Sequence, residues 1–594
     1  MPRLTARSIV VVFPVAALFI LTSVLGAGPV AGAGSVEGRF LEIPSAEGAL
    51  ETARFANAQS HYAGTRGDYA FARYMRDRLV AAGFQATIES YQGPIDKPAR
   101  LGLALIDDAG NVTRRFDLRE GPVPGDPDGT RADVGLPFNY GSGSGDVRAP
   151  LIAVGRGLSK DYVALAAHHT SVRGRIALIA YGAQFRGLLA ARAQRNGAAG
   201  IIFYSDPRED RGRPETSVQR GTVGADVMRI PTLPVTYRTA RVLLAQAARG
   251  GRAELSVTIT RRTGTMWNTV GILNGVRGEP VVLGGHRDAW VYGVTDNGSG
   301  IATLLEVARA FGGLARAGWK PQRTIVIVGF DAEEIGELGS RAFVEAHRDD
   351  IVDKAVAYLN CDEDVTGPHF GDDSAAAIGA IVTSAARDLG IAGVPRVPPI
   401  PGGGSDHESF LFAPGPGVPT AQIGFGGHLP TYHSAYDDLY FALQIDPGFA
   451  LHRRAAQVLG LIALRLSETA HPYRFTPYVD QMRDAQAALL TDPAVITLAT
   501  DPAVLGDLDA AIAHFSAAAT DIDSAPAKHP LKAEISATHL IDRALYGSTG
   551  YRDVAFPGIH AALASGNAGA LTRATRAATR AINRAADLIS PETS

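Results

Sequence analysis

VVLGGHRDAWVYGVTDNGSG, residues 281–300, opens as an unbroken apolar run and then breaks into charge and glycine. Residues 281–285 read as a strand buried on both faces, because neither side of its two-residue period is polar. His286 follows directly, Asp288 stands two residues on, and Asp296 lies in the loop before a helix expected over 301–311. The same arrangement recurs downstream. TIVIVG (324–329) is a second such strand, trailed by Asp331, Glu333 and Glu334, with a helix expected over 338–346. AVAYL (355–359) is a third, trailed by Asp362; a helix near 377–389 and a short strand at 420–424 follow, and His433 sits in the loop PTYHS (430–434). Apolar strands alternating with helices predict an α/β domain on a mixed, mostly parallel sheet covered on both faces. Each strand releases a His or carboxylate just past its C-terminal end, the edge where open α/β sheets form ligand sites.

Taken singly these residues are weak signals. A His-x-Asp at a strand end more often satisfies a polar contact, and a Glu-Glu pair is ordinarily a helix N-terminus offsetting the dipole. Their recurrence in order on successive strand ends is not explained that way. Two histidines and several carboxylates, with no thiolate nearby in kind, suit a hydrolytic zinc pair bridged by a carboxylate. A carboxylate that is not itself a ligand would take a proton from water. Glu333 and Glu334 can supply one base and one ligand from a single turn.

The rest of the chain sets bounds. With 594 residues, 46% hydrophobic and 20% charged, it is too apolar for a disordered polymer and too long for one core. A formal charge of -3 provides no basic field for nucleic acid, so no nucleic-acid partner is expected. One cysteine, Cys361, rules out an internal disulfide framework and a Cys-rich metal module. Arg3 and Arg7, an apolar run over 9–25 and Ala31-x-Ala33 read as an export signal over 1–33; left uncleaved, it would be a membrane anchor. The spacing predicts a helix over 68–82, ended by Gly83, and a strand over 85–91. Residues 101–150, rich in Gly, Pro and Asp, suit a loop-rich insertion. Strands at 175–181 and 200–205 flanking a helix near 188–195 form one βαβ-like unit. Beyond 476 the chain is helical and strand-poor. Its last helix carries Leu571, Ala574, Ala578, Ile582, Ala585 and Ile589 on one face and Arg573, Arg576, Arg580 and Arg584 on the other, a solvated face rather than a nucleic-acid stripe.

The segments GGHRDAWVYGVTDNGSG (284–300), DAEEIGELGS (331–340), AYLNCD (357–362) and YHS (432–434) resemble the co-catalytic zinc exopeptidases of the glutamate carboxypeptidase II and transferrin receptor-like group. HYAGTRGDYAFARYM (61–75), YGAQFRG (181–187), GIIFYSDP (200–207) and AFPGIHAAL (555–563) extend the resemblance over most of the chain. It implies a peptidase domain over 40–98 and 262–475, interrupted by a protease-associated (apical) domain over 99–261, then a helical dimerisation domain over 476–594 and a homodimer, with the Ala-rich face of the last helix as a candidate surface. It further implies two zinc ions per chain. His286 and Asp362 would hold one, Glu334 and His433 the other, Asp296 would bridge them, and Glu333 would be the general base. The family's Asp at position 296 precedes a cis peptide bond. Asp288 would orient His286. Ser405, with Asp406 beside it, falls where the family lines its substrate channel. A structural calcium is expected only in part, since Ala342 stands at one acidic position while Glu345 matches another.

Three further residues match those that hold a substrate's α-carboxylate in glutamate-releasing members: Arg186, Tyr432 and Tyr551. The residues reading a glutamate side chain do not match. Gly550 replaces a Lys, Thr222 an Asn, and Gln422 and Gly424 a pair of arginines. The implied function is therefore an exported peptidase of chain ends, a carboxypeptidase that does not prefer glutamate. An aminopeptidase is the alternative within the class, and a non-catalytic receptor-like binding protein the alternative outside it. A dead site predicts lost ligands or a lost base, and every one of these residues is present.

Overall fold

The computed structural model describes residues 34–224, 228–393, 401–499, 503–549 and 552–590. The expected export signal and Tyr551, with Gly550 before it, lie outside them. Two seven-stranded sheets organise the chain. In the first, Arg277–His286 runs parallel to Arg323–Phe330 on one side and to Ala357–Asn360 on the other, and Thr420–Gly426 continues parallel beyond Ala357–Asn360. The flanks are antiparallel: His369–Ser374 closes one edge, and Thr263–Leu273 then Gln85–Pro94 the other. The sheet is thus mixed, parallel at its centre and antiparallel outside.

Its central strands are apolar throughout because both faces are covered. Val281, Leu283, Ile325, Ile327, Ala357 and Leu359 join the core that includes Ile301 and Leu304 of helix Gly298–Arg316. Val282, Val326, Val328 and Tyr358 turn the other way, into a cluster with Phe343 of helix Leu338–Ala346 and Phe410. Each Val, Leu, Ile or Phe among them, fully buried, contributes roughly 1.5–3 kcal/mol. Helix Arg66–Ala82 is capped by Thr65, whose hydroxyl accepts the Asp68 N–H, and ends at Gly83 in the left-handed conformation.

The second sheet is built between Lys97 and Thr260, in the order Val112–Arg115, Lys97–Ile106, Arg252–Thr260, Gly145–Gly155, Ile176–Ala180, Gly200–Tyr204, Thr232–Pro234. The βαβ unit stands, with helix Arg186–Arg195 linking parallel strands. The loop-rich reading of 101–150 holds for 116–138, but strands Lys97–Ile106 and Gly145–Gly155 enter its two ends and Val112–Arg115 lies within it. The first halves of Lys97–Ile106 and Gly145–Gly155 are partly exposed, Val112–Arg115 is exposed throughout, and Gly102 and Pro150 interrupt the apolar period, so no long hydrophobic run advertises them.

The C-terminal region is helical apart from the hairpin Tyr546–Thr549 and Arg552–Ala555. Helix Ala568–Ile589 buries Leu571, Ala578, Ile582, Ala585 and Ile589 against Ala503–Ser524 and Leu531–Leu545, while its four arginines stay exposed. The expectation that this Ala-rich face forms a dimer surface is therefore corrected: the chain's own helices cover it. Among the described residues no helix is long and apolar enough to cross a membrane.

Candidate metal centre and substrate cavity

The three central strands deliver their polar residues to one edge. His286 is the last residue of its strand, Glu333 and Glu334 follow Phe330 within four residues, and Asp362 lies two beyond Asn360. Gly285 allows the close approach this needs, since a Cβ there would lie 2.1 Å from the carbonyl oxygen of Cys361. Asp296 precedes helix Gly298–Arg316, its peptide bond to Asn297 is cis, and His433 comes from the loop after Thr420–Gly426.

These residues converge. His286 Nε2 is 3.2 Å from Asp296 Oδ1 and 3.2 Å from Asp362 Oδ1. His433 Nε2 is 3.2 Å from Asp296 Oδ2 and 3.1 Å from Glu334 Oε2. Two three-residue clusters result, His286–Asp296–Asp362 and Asp296–Glu334–His433, with Asp296 offering one oxygen to each. Glu333 belongs to neither, its Oε2 lying 3.8 Å from His286 Nε2. Among the described residues Glu345 joins no third cluster of this kind.

The role expected of Asp288 changes in detail. His286 Nδ1 lies 2.9 Å from the Asp288 backbone carbonyl, while its carboxylate is 3.7 Å away and accepts the Glu333 N–H at 3.0 Å. Asp288 thus orients His286 through its main chain and Glu333 through its side chain. Two residues that sequence reasoning passed over hold the loops. The Asn297 amide donates to the carbonyls of His286 and Cys361 and accepts from the N–H of Gly300 and Glu363. The Asp437 carboxylate accepts the N–H groups of Thr295 and Asp296 at 2.8 and 2.9 Å. Asn297 was legible as the helix cap in TDNGSG; nothing in the sequence around Asp437 marks it.

The charge balance tests the fit to metal. The one arginine adjoining the clusters in sequence, Arg287, is buried facing away, bonded to Asp68 and near Asp331. Burial alone would lower His433, but the carboxylates of Glu334 and Asp296 lift it to about 10. Burial, then Asp362 and Glu334, push the Glu333 carboxyl well above its usual range despite His286. Crowded buried carboxylates must hold either protons or cations. An all-nitrogen-and-oxygen donor set of imidazole and carboxylate suits zinc in the latter case.

Beside the clusters opens a cavity of about 400 Å³. Arg186, at the start of helix Arg186–Arg195, lines it with its guanidinium 4.1 Å from the Tyr181 ring centre, 2% exposed, and with Nε and Nη2 lacking a hydrogen-bond partner among the described residues. Tyr432 lines it too, its ring stacked on His433. Ser405 is buried on the wall and accepts a hydrogen bond from Asn360 Nδ2; Asp406 is buried and does not reach the lining. Thr222 and Gln422 are on the wall, and so are two carboxylates unforeseen in the sequence, Glu337 and Glu363.

Residues 268–453 match the family model for peptidase family M28, and residues 147–243 that for the PA domain. A probable glutamate carboxypeptidase of Arabidopsis thaliana, LAMP1, is 30% identical over 71% of this chain and 72% of its own. The rat aminopeptidase NAALADL1 is 25% identical over 70% of each chain. Among solved structures, a zinc aminopeptidase from Bacillus subtilis superposes with a TM-score of 0.55 at 20% identity, covering 72% of this chain and 96% of its own.

Proposed function

From a chain that belongs to peptidase family M28, in its glutamate carboxypeptidase II and transferrin receptor-like group, we propose a zinc-dependent exopeptidase that removes residues from free C-termini. The observation that carries this is Arg186: a buried guanidinium, with two nitrogens unpaired among the described residues, lining the same cavity as the paired clusters. Leaving buried cationic donors unpaired costs several kcal/mol unless a ligand completes them, and a carboxylate is the partner a guanidinium fork fits best. Tyr432 and Tyr551 belong to the same carboxylate-binding reading, and Ser405 to the channel wall.

In this reading His286 and Asp362 would hold one zinc ion and Glu334 and His433 a second, with one Asp296 oxygen available to each cluster. Zinc supplies polarisation of the scissile carbonyl and acidification of the attacking water. Glu333, outside both clusters and fixed through its N–H to Asp288, takes the water's proton and returns it to the departing amine. Arg186 holds the terminal carboxylate and so fixes which bond meets Glu333. Thr222 and Gln422 offer no cation to a glutamate side chain, which argues against glutamate preference. Export through residues 1–33 completes the reading, and pairing into a homodimer rests on the group resemblance.

An aminopeptidase is the second reading, favoured by the rat relative's name, since one metal arrangement serves either end of a peptide. Hydrolysis of one dipeptide, N-blocked with a free C-terminus or N-free with an amidated one, with and without chelator, tests both. Chelator-sensitive cleavage of the N-blocked form alone is expected. Cleavage of the amidated form alone would make the protein an aminopeptidase, and cleavage of neither would leave a binding protein.

A further inference from the structure

The cavity has more carboxylates than its metal chemistry uses. Asp296, Glu334 and Asp362 belong to the clusters and Glu333 stands as the base. Glu337 and Glu363 remain, on the wall of the same cavity. Among the described residues Arg186 is the one guanidinium or ammonium group lining it, and under the reading above the substrate's own carboxylate takes that charge.

Neither surplus carboxylate meets a buried cationic side chain among the described residues. Glu363 enters no ion pair of the described residues, and in the adjoining cleft that it also lines Arg156 is paired with Glu209 and Arg213 with Asp210. Its backbone is held in the left-handed region, φ 50°, with its N–H donated to Asn297. That conformation is disfavoured for a non-glycine residue and fixes the side chain's point of departure. Glu337 also has positive φ, 57°. It meets Arg341 at 3.3 Å, but Arg341 is 60% exposed, where an ion pair contributes little. Burial and the neighbouring Glu408 disfavour the ionised form of Glu337 and push it up to about 8, Arg341 opposing only in part, so that a cation placed beside it would favour the carboxylate. A cationic ligand would relieve this crowding, whereas an anionic one would add to it.

We infer that the cavity selects peptides bearing a cationic group beside the scissile bond, an ammonium or guanidinium received by Glu363 and Glu337. The inference rests on the exopeptidase reading and names its substrate class. Two sources carry that chemistry, a lysine or arginine side chain and a free α-amine.

The test compares kcat/KM of the zinc-loaded full chain on acetylated Ala-Ala, Lys-Ala, Ala-Lys, Glu-Ala and Ala-Glu, and on unblocked Ala-Ala. At least one cationic peptide should exceed the acetylated Ala-Ala by about tenfold or more, and the glutamate peptides should fall below it. A gain for acetylated Lys-Ala or Ala-Lys identifies the side chain, and a gain for unblocked Ala-Ala alone identifies the amine. E363Q and E337Q, checked for zinc content and circular dichroism, should bring the cationic-to-neutral ratio towards one in at least one of them. Equal rates across the charge series, faster cleavage of the glutamate peptides, or a ratio unmoved in both variants overturns the inference while the exopeptidase reading stands. Cleavage of none of the peptides overturns both.

Discussion

Gly221 and Arg186 approach so closely that a methyl group on Gly221 would lie 1.5 Å from Arg186 Nη1. Gly221 also sits at φ +151°, which L side chains rarely adopt. The glycine therefore makes room for the guanidinium at the cavity wall. Gly221→Ala must displace one or the other. KM for an N-blocked dipeptide is expected to rise about tenfold or more, because the lost contact is a charged hydrogen bond. Gly221 is not a member of either cluster, and zinc content measured alongside checks that the Arg220 carbonyl just before it keeps its 3.3 Å contact with His433 Nδ1. An unchanged KM with intact fold would remove Arg186 from substrate binding.

Glu333 stands outside both clusters, so its removal should spare metal and abolish turnover. Glu333→Gln keeps the shape and loses the base. The expected fall in kcat is about 10²–10⁴-fold at unchanged zinc stoichiometry, read by metal analysis beside the assay. Loss of zinc together with activity would instead make Glu333 a ligand.

Asp437 acts one step further out. Its two oxygens hold the N–H groups of Thr295 and Asp296, so it sets where Asp296 presents its carboxylate to both clusters. Asp437→Asn exchanges one acceptor for a donor facing a donor. Groups that orient metal ligands typically govern about 10–100-fold in affinity, and a loss of that size is expected in chelator competition. An unaltered zinc affinity would mean the loop keeps Asp296 in place without it.

The contrast between Glu333 and Asp437 marks what a single sequence discloses here. His286, Glu333, Glu334 and Asp362 were legible because each leaves a strand whose unbroken apolar run announces it, and the sheet's geometry then dictates convergence. Asp437 and Glu337 leave no such trace, since their roles are set by loops from distant parts of the chain meeting one backbone or one cavity wall. The second sheet was half legible for a related reason. Its parallel strands Ile176–Ala180 and Gly200–Tyr204 are buried throughout, but Lys97–Ile106 and Gly145–Gly155 are part-exposed and fall largely within the stretch 101–150 read only as loop-rich. The last helix gave its apolar face correctly and its partner wrongly, because periodicity says that Ile582 is covered and not by what.

His539 offers a test of the fold away from the metal centre. It lies buried on helix Leu531–Leu545, and its Nε2–H donates to the Ala355 carbonyl at 3.2 Å, joining the helical region to the sheet domain. Burial lowers its pKa from 6.5 to about 4, against the partial support of that carbonyl. The unfolded chain therefore binds a proton below about pH 6.5 that the folded protein refuses until about pH 4. Stability should be fully present above pH 6.5 and fall as the pH drops through that window, by an amount on the order of 3 kcal/mol from this residue. His61, also buried and lowered to about 4, adds to the same slope. His539→Gln keeps a donor for Ala355 and removes the titration, so denaturant midpoints measured from pH 7.5 to 4.5 should show a shallower acid decline than the parent. An identical decline in the two proteins would mean that His539 is protonated at the ordinary pH and that the helical region opens before the sheet domain does.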